Sequence, residues 1–151
     1  MSDDLQAAPV VGLSFEEIEL GMQASVENTV AEGDIQAFAE ITGDHNPIHL
    51  DEAFAVNTPF KGRISHGMLT AGYISAAFGM RLPGPGAIYV KQSLNFLRPV
   101  RIDDRITTTV KVSELFPEKR RVLFECECTN AAGKVVLQGE AVLMVPERMA
   151  T

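Results

Sequence analysis

The chain has no basic block longer than Lys119-Arg120-Arg121, and its 13 lysines and arginines are outnumbered by 20 aspartates and glutamates. A net charge of −7 without a clustered positive stretch argues against nucleic acid as a partner. Cysteine is scarce: there are two, Cys126 and Cys128, in a strand-like segment. Their spacing points both side chains to one face and fits neither a CxxC redox motif nor a zinc site, so buried free thiols are expected. Long apolar runs are missing too. The longest, Gly67 to Met80, is too short to cross a bilayer and contains Thr70 and Ser75. The N-terminal stretch lacks the charged and apolar regions of a signal peptide, so a cytoplasmic protein with no membrane partner is expected. No Pro/Gly/Ser-rich linker and no internal repeat divides the chain. What is present is ordinary globular composition, 46% apolar and 22% charged over 151 residues, enough to bury a core. Residues 1–12 read as a loose N-terminal tail and 13–151 as a single domain.

Hydrophobic patterning then assigns elements. Leu13 to Val30 reads as an edge segment with a short strand around Ala24 to Val30. Ile35, Phe38, Ala39 and Ile41 recur at helical spacing over Glu32 to Thr42, with Gly43 placed to stop the helix and Gly33 weakening its start. Asp44-His45-Asn46-Pro47 is rich in turn formers, and Pro47 disfavours helical backbone at Asn46, so the chain bends there. Ile48-His49-Leu50 follows, then a short amphipathic piece from Asp51 to Val56 with Asp51 as its cap. Gly67 to Met80 has almost no polar face, which predicts a buried helix. The second half supplies its cover. Ala87 to Leu97, Arg105 to Leu115, Arg121 to Asn130 and Lys134 to Val145 are β-rich, and Asn130-Ala131-Ala132-Gly133 is a hairpin-type connection. One buried helix followed by an antiparallel meander predicts an α+β fold with the sheet curled around the helix.

The chemistry-bearing residues cluster beside that helix. Asp44 and His49 are five apart with a rigid bend between them, so a carboxylate and an imidazole can converge on one water. Taken alone, the spacing is a weak signal, better read as Asp44 and Asn46 forming a turn and His49 lying at the surface. Its weight comes from the combination with Ser65-His66-Gly67-Met68, which opens the apolar helix. There the N–H of Gly67 falls in a first turn whose donors have no intrahelical partner, where the helix dipole favours negative charge. Glycine also permits close approach of a ligand to the backbone.

Gly43-Asp44-His45-Asn46-Pro47-Ile48-His49-Leu50-Asp51, the His66-Gly67-Met68 stretch, and Tyr89-Val90-Lys91-Gln92-Ser93-Leu94-Asn95-Phe96 together resemble the MaoC-like (R)-specific enoyl-CoA hydratases. The resemblance spans roughly Phe15 to Val145. It implies a hot-dog fold and a homodimer or higher homo-oligomer. It also implies syn hydration of trans-2-enoyl-CoA to (R)-3-hydroxyacyl-CoA with no metal or organic cofactor. Asp44 and His49 then match the catalytic pair, Gly67 the glycine whose N–H contacts the thioester oxygen, and Ser75 a position lining the acyl pocket. His66 is expected to hold the Ser65–Met68 turn, and His45 to be exposed. Lys61, Arg63, Lys91, Arg98 and Arg101 are candidates for the phosphates of an acyl-CoA thioester, most of them serving as solvated surface. A 3-hydroxyacyl-thioester dehydratase running the same chemistry backwards is an alternative. A thioesterase would need an acid on the helix, which carries only Thr70 and Ser75, and a non-catalytic acyl-thioester-binding subunit would have no use for both Asp44 and His49.

Overall fold

The computed structural model describes residues 12–148; the tail expected over 1–12 lies, apart from Gly12, outside them. Four helices and six strands follow in chain order. Strand β1 is Gln23–Thr29, then come α1 (Glu32–Thr42), α2 (Pro47–Leu50), α3 (Glu52–Ala55) and α4 (Gly67–Met80). Strands β2 (Ile88–Gln92), β3 (Asn95–Phe96), β4 (Arg105–Phe116), β5 (Arg121–Thr129) and β6 (Val135–Met144) complete the fold. A short 3₁₀ turn, Phe15–Glu17, precedes β1.

The strands form one antiparallel sheet in the order β1-β4-β5-β6-β2, with β3 also paired to β6. Alternation sets which side of it is dry. Ile106, Val110 and Val112 of β4 and Val122, Phe124, Cys126 and Cys128 of β5 are buried, while Lys111, Glu125 and Glu127 between them are exposed. Both thiols are free and buried, and burial pushes them up to about 12 for Cys126 and about 11 for Cys128. They are core residues.

The run 87–97, read as one segment, is broken in two. Ser93 reaches across to β6, its N–H donating to the Glu140 carbonyl at 2.8 Å while its Oγ accepts from the Glu140 N–H at 3.0 Å. That crossing needs Gly139, because a Cβ there would stand 1.9 Å from the Ser93 carbonyl oxygen.

Helix α4 lies against the dry side. Ile74 and Ala77 are completely buried and Phe78 nearly so, with the Phe78 ring tilted on Phe124 at a centroid distance of 4.7 Å. This is the hot-dog arrangement, an α+β sheet curled around one helix. The helix is not covered all round, however. Met68, Gly72, Ser75, Ala76, Gly79 and Met80 lie exposed along its other side, because one sheet reaches only one face of a cylinder. The edge strand β2 beside it exposes Ile88, Tyr89 and Val90.

Helix α1 begins despite Gly33 because Asp34 reaches back to accept the Ala31 N–H at 2.9 Å. It ends at Gly43, whose φ of 81° is the left-handed conformation that closes a helix, with its N–H on the Ala39 carbonyl at 2.8 Å. That stop delivers the chain into Asp44. Asn46 caps α2 by accepting the Ile48 N–H at 3.1 Å, and Asp51 caps α3 by accepting the Phe54 N–H at 3.3 Å.

Ile74→Ala deletes a fully buried side chain at the contact of helix and sheet. Such a truncation removes burial and leaves a cavity, and should lower stability by about 2–5 kcal/mol. The midpoint of urea unfolding, at unchanged slope, measures it.

Candidate active site

Asp44, His49 and Gly67 come from three segments that meet at the N-terminal end of α4. The bend at Asn46, with φ −54° and ψ 122°, turns the chain out of α1 and into α2, so His49 points back toward the start of α4. His49 is 9% exposed, and its ring stacks on His66 at a centroid distance of 3.9 Å. His66, buried and packed on its other side near Phe38, contacts the Asp44 carbonyl through Nε2 at 3.1 Å. A carbonyl oxygen only accepts, so Nε2 carries the proton. The histidine expected to hold the Ser65–Met68 turn makes no side-chain hydrogen bond within it and instead ties down the loop that carries Asp44, because Nε2 reaches that carbonyl while Nδ1 stays without a partner.

The same reasoning fixes the tautomer of His49. Its Nδ1 lies 2.8 Å from the Ile64 carbonyl and must donate, which leaves the lone pair of the neutral ring on Nε2. Burial lowers the pKa of His49 below its ordinary value; the Ile64 carbonyl and Asp44 oppose that shift, while His66 and Arg63 reinforce it. The free base is therefore the form this site favours.

Asp44 is exposed, with Oδ1 accepting the Asn46 N–H at 3.2 Å. One carboxylate oxygen of Asp44 and one ring nitrogen each of His49 and His66 lie within 4.8 Å of one another. By donor type the trio could attract a divalent cation. With the N–H groups donated to carbonyls by His49 Nδ1 and His66 Nε2, lone pairs remain on His49 Nε2 and His66 Nδ1, and these serve acid–base chemistry beside the Asp44 carboxylate as readily as they would a cation.

A cavity of about 440 Å³ opens beside this cluster. His49, Ile64, Gly67, Thr70, Phe96 and Val136 are among the residues that line it, a mostly apolar wall of the size that takes a small-molecule chain. Gly67, which lines the cavity, is the first residue of α4, and its N-cap His66 makes no side-chain cap hydrogen bond, so no capping side chain takes the N–H of Gly67. A Cβ on Gly67 would lie 2.6 Å from the Phe96 ring. A side chain at 67 would therefore push the exposed Phe96 ring aside. Nothing in the spacing of residues 67 and 96 announces that contact.

Ser75 is not brought to this cavity. It lies on the exposed side of α4, two turns beyond Gly67. His45 is exposed as expected, 3.3 Å from Glu40. Three of the five candidate phosphate ligands make hydrogen bonds within the fold, Arg98 among them through Nη1 on the Val135 carbonyl at 2.6 Å. Arg63 forks onto Glu32 at 2.6 and 2.7 Å, and Arg101 donates to the Phe60 carbonyl at 2.6 Å and the Arg63 carbonyl at 3.5 Å. The reason is position: Arg101 supplies donors to carbonyls of the irregular stretch before α4, and Arg63, inside that stretch, faces Glu32 and the His49 carbonyl. Lys61, Lys91 and Arg98 are exposed, and Arg98 lines the cavity.

An antiparallel sheet curled on a helix, with an imidazole and a carboxylate at the helix mouth, defines a hot-dog domain with a candidate acid–base site. A family model described as MaoC like domain matches residues 14–132, and the chain belongs to that family. It is 57% identical over 134 residues to the (R)-specific enoyl-CoA hydratase of Rhodospirillum rubrum, covering 89% of this chain and 92% of that protein. It is 52% identical over 136 residues to the 3-hydroxybutyryl-CoA dehydratase of Methylorubrum extorquens, covering 90% and 86%. The unliganded R-hydratase PhaJ1 from Pseudomonas aeruginosa superposes with a TM-score of 0.85 at 44% identity, covering 93% of each chain.

The depressed pKa of His49 has a sign that can be checked. An NMR titration of the ring should give a midpoint below the ordinary value of 6.5. Because the unfolded chain binds the proton more readily, the contribution of His49 to stability is full above that value and is lost as pH falls through the folded-state midpoint. His49→Gln should flatten that part of the stability profile.

Proposed function

We infer that the chain is an (R)-specific 2-enoyl-CoA hydratase, adding water to trans-2-enoyl-CoA to give (R)-3-hydroxyacyl-CoA. One observation carries the reading: His49, with its lone pair assigned to Nε2, lines a cavity that begins at the first turn of α4, and a carboxylate oxygen of Asp44 lies within 4.8 Å of its ring nitrogen. Hydration of an enoyl thioester asks for those parts. Asp44 accepts one hydrogen of a water and aims it. His49 Nε2 takes the other proton as the oxygen bonds to C3. The C2–C3 π electrons move toward the thioester oxygen, and the N–H of Gly67 stabilises the charge that develops there, aided by the helix dipole. The His49 imidazolium then returns its proton to C2, on the face from which water came. Every step reverses, and the name of the Methylorubrum relative favours dehydration of a 3-hydroxyacyl-CoA as the alternative direction.

Arg98, which lines the cavity and is exposed although its Nη1 donates to the Val135 carbonyl, and the exposed Lys61, which follows the cavity-lining Phe60, remain the basic candidates for the phosphates of CoA. The reading includes a homodimer or higher homo-oligomer, supported by the uncovered side of α4 and the exposed apolar edge strand β2, which a second copy would bury. In such an assembly Ser75, on the uncovered side, would meet the acyl chain or the interface. A single domain over 13–151 is supported by one sheet running through the described residues. A cytoplasmic location is supported by two free thiols, which suit a reducing compartment.

The primary assay is loss of enoyl-thioester absorbance with crotonyl-, hexenoyl- and decenoyl-CoA, together with the chirality of the product. No turnover of any of the three, or an (S)-product, overturns the reading. Asp44→Asn and His49→Gln should each lower kcat/KM by about 10²–10⁴-fold while circular dichroism is unchanged. Their double variant should be little worse than the poorer single one, since the two act as a unit.

Gly67→Ala retains the N–H but drives a methyl group into Phe96, so it should lower kcat/KM. Pairing it with Phe96→Ala, which opens that space, should restore part of the loss. A double variant with no recovery would assign the effect of the methyl group to crowding of the substrate itself.

A further inference from the structure

Arg63 makes more of its neighbours than a phosphate ligand would. Its Nη1 and Nη2 donate to the two oxygens of Glu32 at 2.6 and 2.7 Å, and its Nε donates to the main-chain carbonyl of His49 at 2.7 Å. The side chain is 13% exposed. Its own N–H reaches Glu52 Oε2 at 3.4 Å. The next residue completes the hold. The N–H of Ile64 donates to the Ile48 carbonyl at 3.3 Å, and the Ile64 carbonyl takes the Nδ1 proton of His49 at 2.8 Å. His49 is thus gripped twice by consecutive residues, at its backbone by Arg63 and at its ring by Ile64.

We propose that Arg63, braced by Glu32, is a positioning residue for the acid–base histidine: by holding the His49 carbonyl it sets where His49 Nε2 stands relative to the Asp44 carboxylate. The proposal rests on the hydratase reading above.

Three physical points support it. A bidentate fork is directional, so Glu32 fixes the plane of the guanidinium and hence the direction of Nε. Lysine could not substitute, because a single ammonium cannot make the fork and reach the His49 carbonyl with the same planar geometry. The clamp also connects the first turn of α1 to α2 and to the segment leading into α4, the elements that carry the site. The pairing is tight enough that the Arg63 guanidinium holds the Glu32 carboxyl down at about 2. Around His49 the titratable and charged groups are His66, Asp44 and Arg63, with Glu32 and Glu52 flanking the guanidinium.

The test uses the full chain, steady-state kinetics with crotonyl-CoA across pH, and the variants Arg63→Gln, Arg63→Lys and Glu32→Gln, with His49→Gln as control. A displacement of the base of the order of an ångström is expected to lower kcat about 10- to 100-fold in Arg63→Gln. KM should stay within about twofold, because ground-state binding is untouched. The acid limb of the kcat/KM profile should move to higher pH, since a cation that opposes the imidazolium is gone. Arg63→Lys should lose kcat with the limb in place. Glu32→Gln, which leaves the Nε bond, should show the smallest loss.

Arg63→Gln at wild-type kcat, with His49→Gln inactive, overturns the proposal and leaves the hydratase reading standing. A fully active His49→Gln overturns that reading itself. A rise in KM at constant kcat would return Arg63 to phosphate binding. If Arg63→Gln does not fold, wild-type kcat in Arg63→Lys overturns the proposal instead.

Discussion

Helix α4 lies against the dry side of a single antiparallel sheet, and the burial of Ile74, Ala77 and Phe78 there orders the rest of the molecule. Each large apolar side chain so buried contributes about 1.5–3 kcal/mol. Facing them are alternate residues of β4 and β5, among them Val110, Val112, Val122 and Phe124, so helix and sheet fix each other's register. Once α4 is seated, its N-terminus has one possible address. The chain before it must arrive through Ile64 and Ser65, and Ser65 is held there by its N–H on the Val100 carbonyl at 2.6 Å.

The chemistry follows from that address. An imidazole becomes a defined base only when something fixes which nitrogen holds the proton. Here the Ile64 carbonyl does so for His49, and the Asp44 carbonyl does so for His66. Both acceptors are main-chain atoms of irregular segments, whose carbonyls are not used in helix or sheet. The two rings then stack, and burial holds His49 toward its neutral form. The site is thus a consequence of where unpaired carbonyls fall when α2 is pressed against the approach to α4.

Much of this can be read along the chain. The alternation in β4 and β5, the apolar run of α4, the glycine stop of α1 and the cap at Asp51 are all local signals, and each appears where its pattern puts it. The meeting of Asp44, His49 and the start of α4 is legible too, because a rigid Asn46-Pro47 bend and a helix N-terminus are local devices that set where residues stand. Arg63 and Arg101 are less so. Composition makes them surface cations, whereas both lie half-buried, Arg63 on Glu32 and the His49 carbonyl and Arg101 on carbonyls of the segment before α4. The split of 87–97 into two strands was hidden for a similar reason: its cause, Gly139, lies on another strand.

The amino-acid sequence by itself determined the elements, the dry face of the sheet and the residue types at the candidate site. These depend on side-chain period and on backbone preferences within a few residues, which are properties of the chain alone. Tertiary structure decided which ring nitrogen of His49 is free, which side of α4 stays uncovered, that Phe96 sits against Gly67, and that Arg63 links Glu32 to His49. Each of those is a contact between residues far apart in the chain, such as Glu32 and Arg63 at 31 positions. Such pairs have no fixed distance until the sheet closes on the helix, and only then does a hydrogen bond select among the donors and acceptors that the sequence offers.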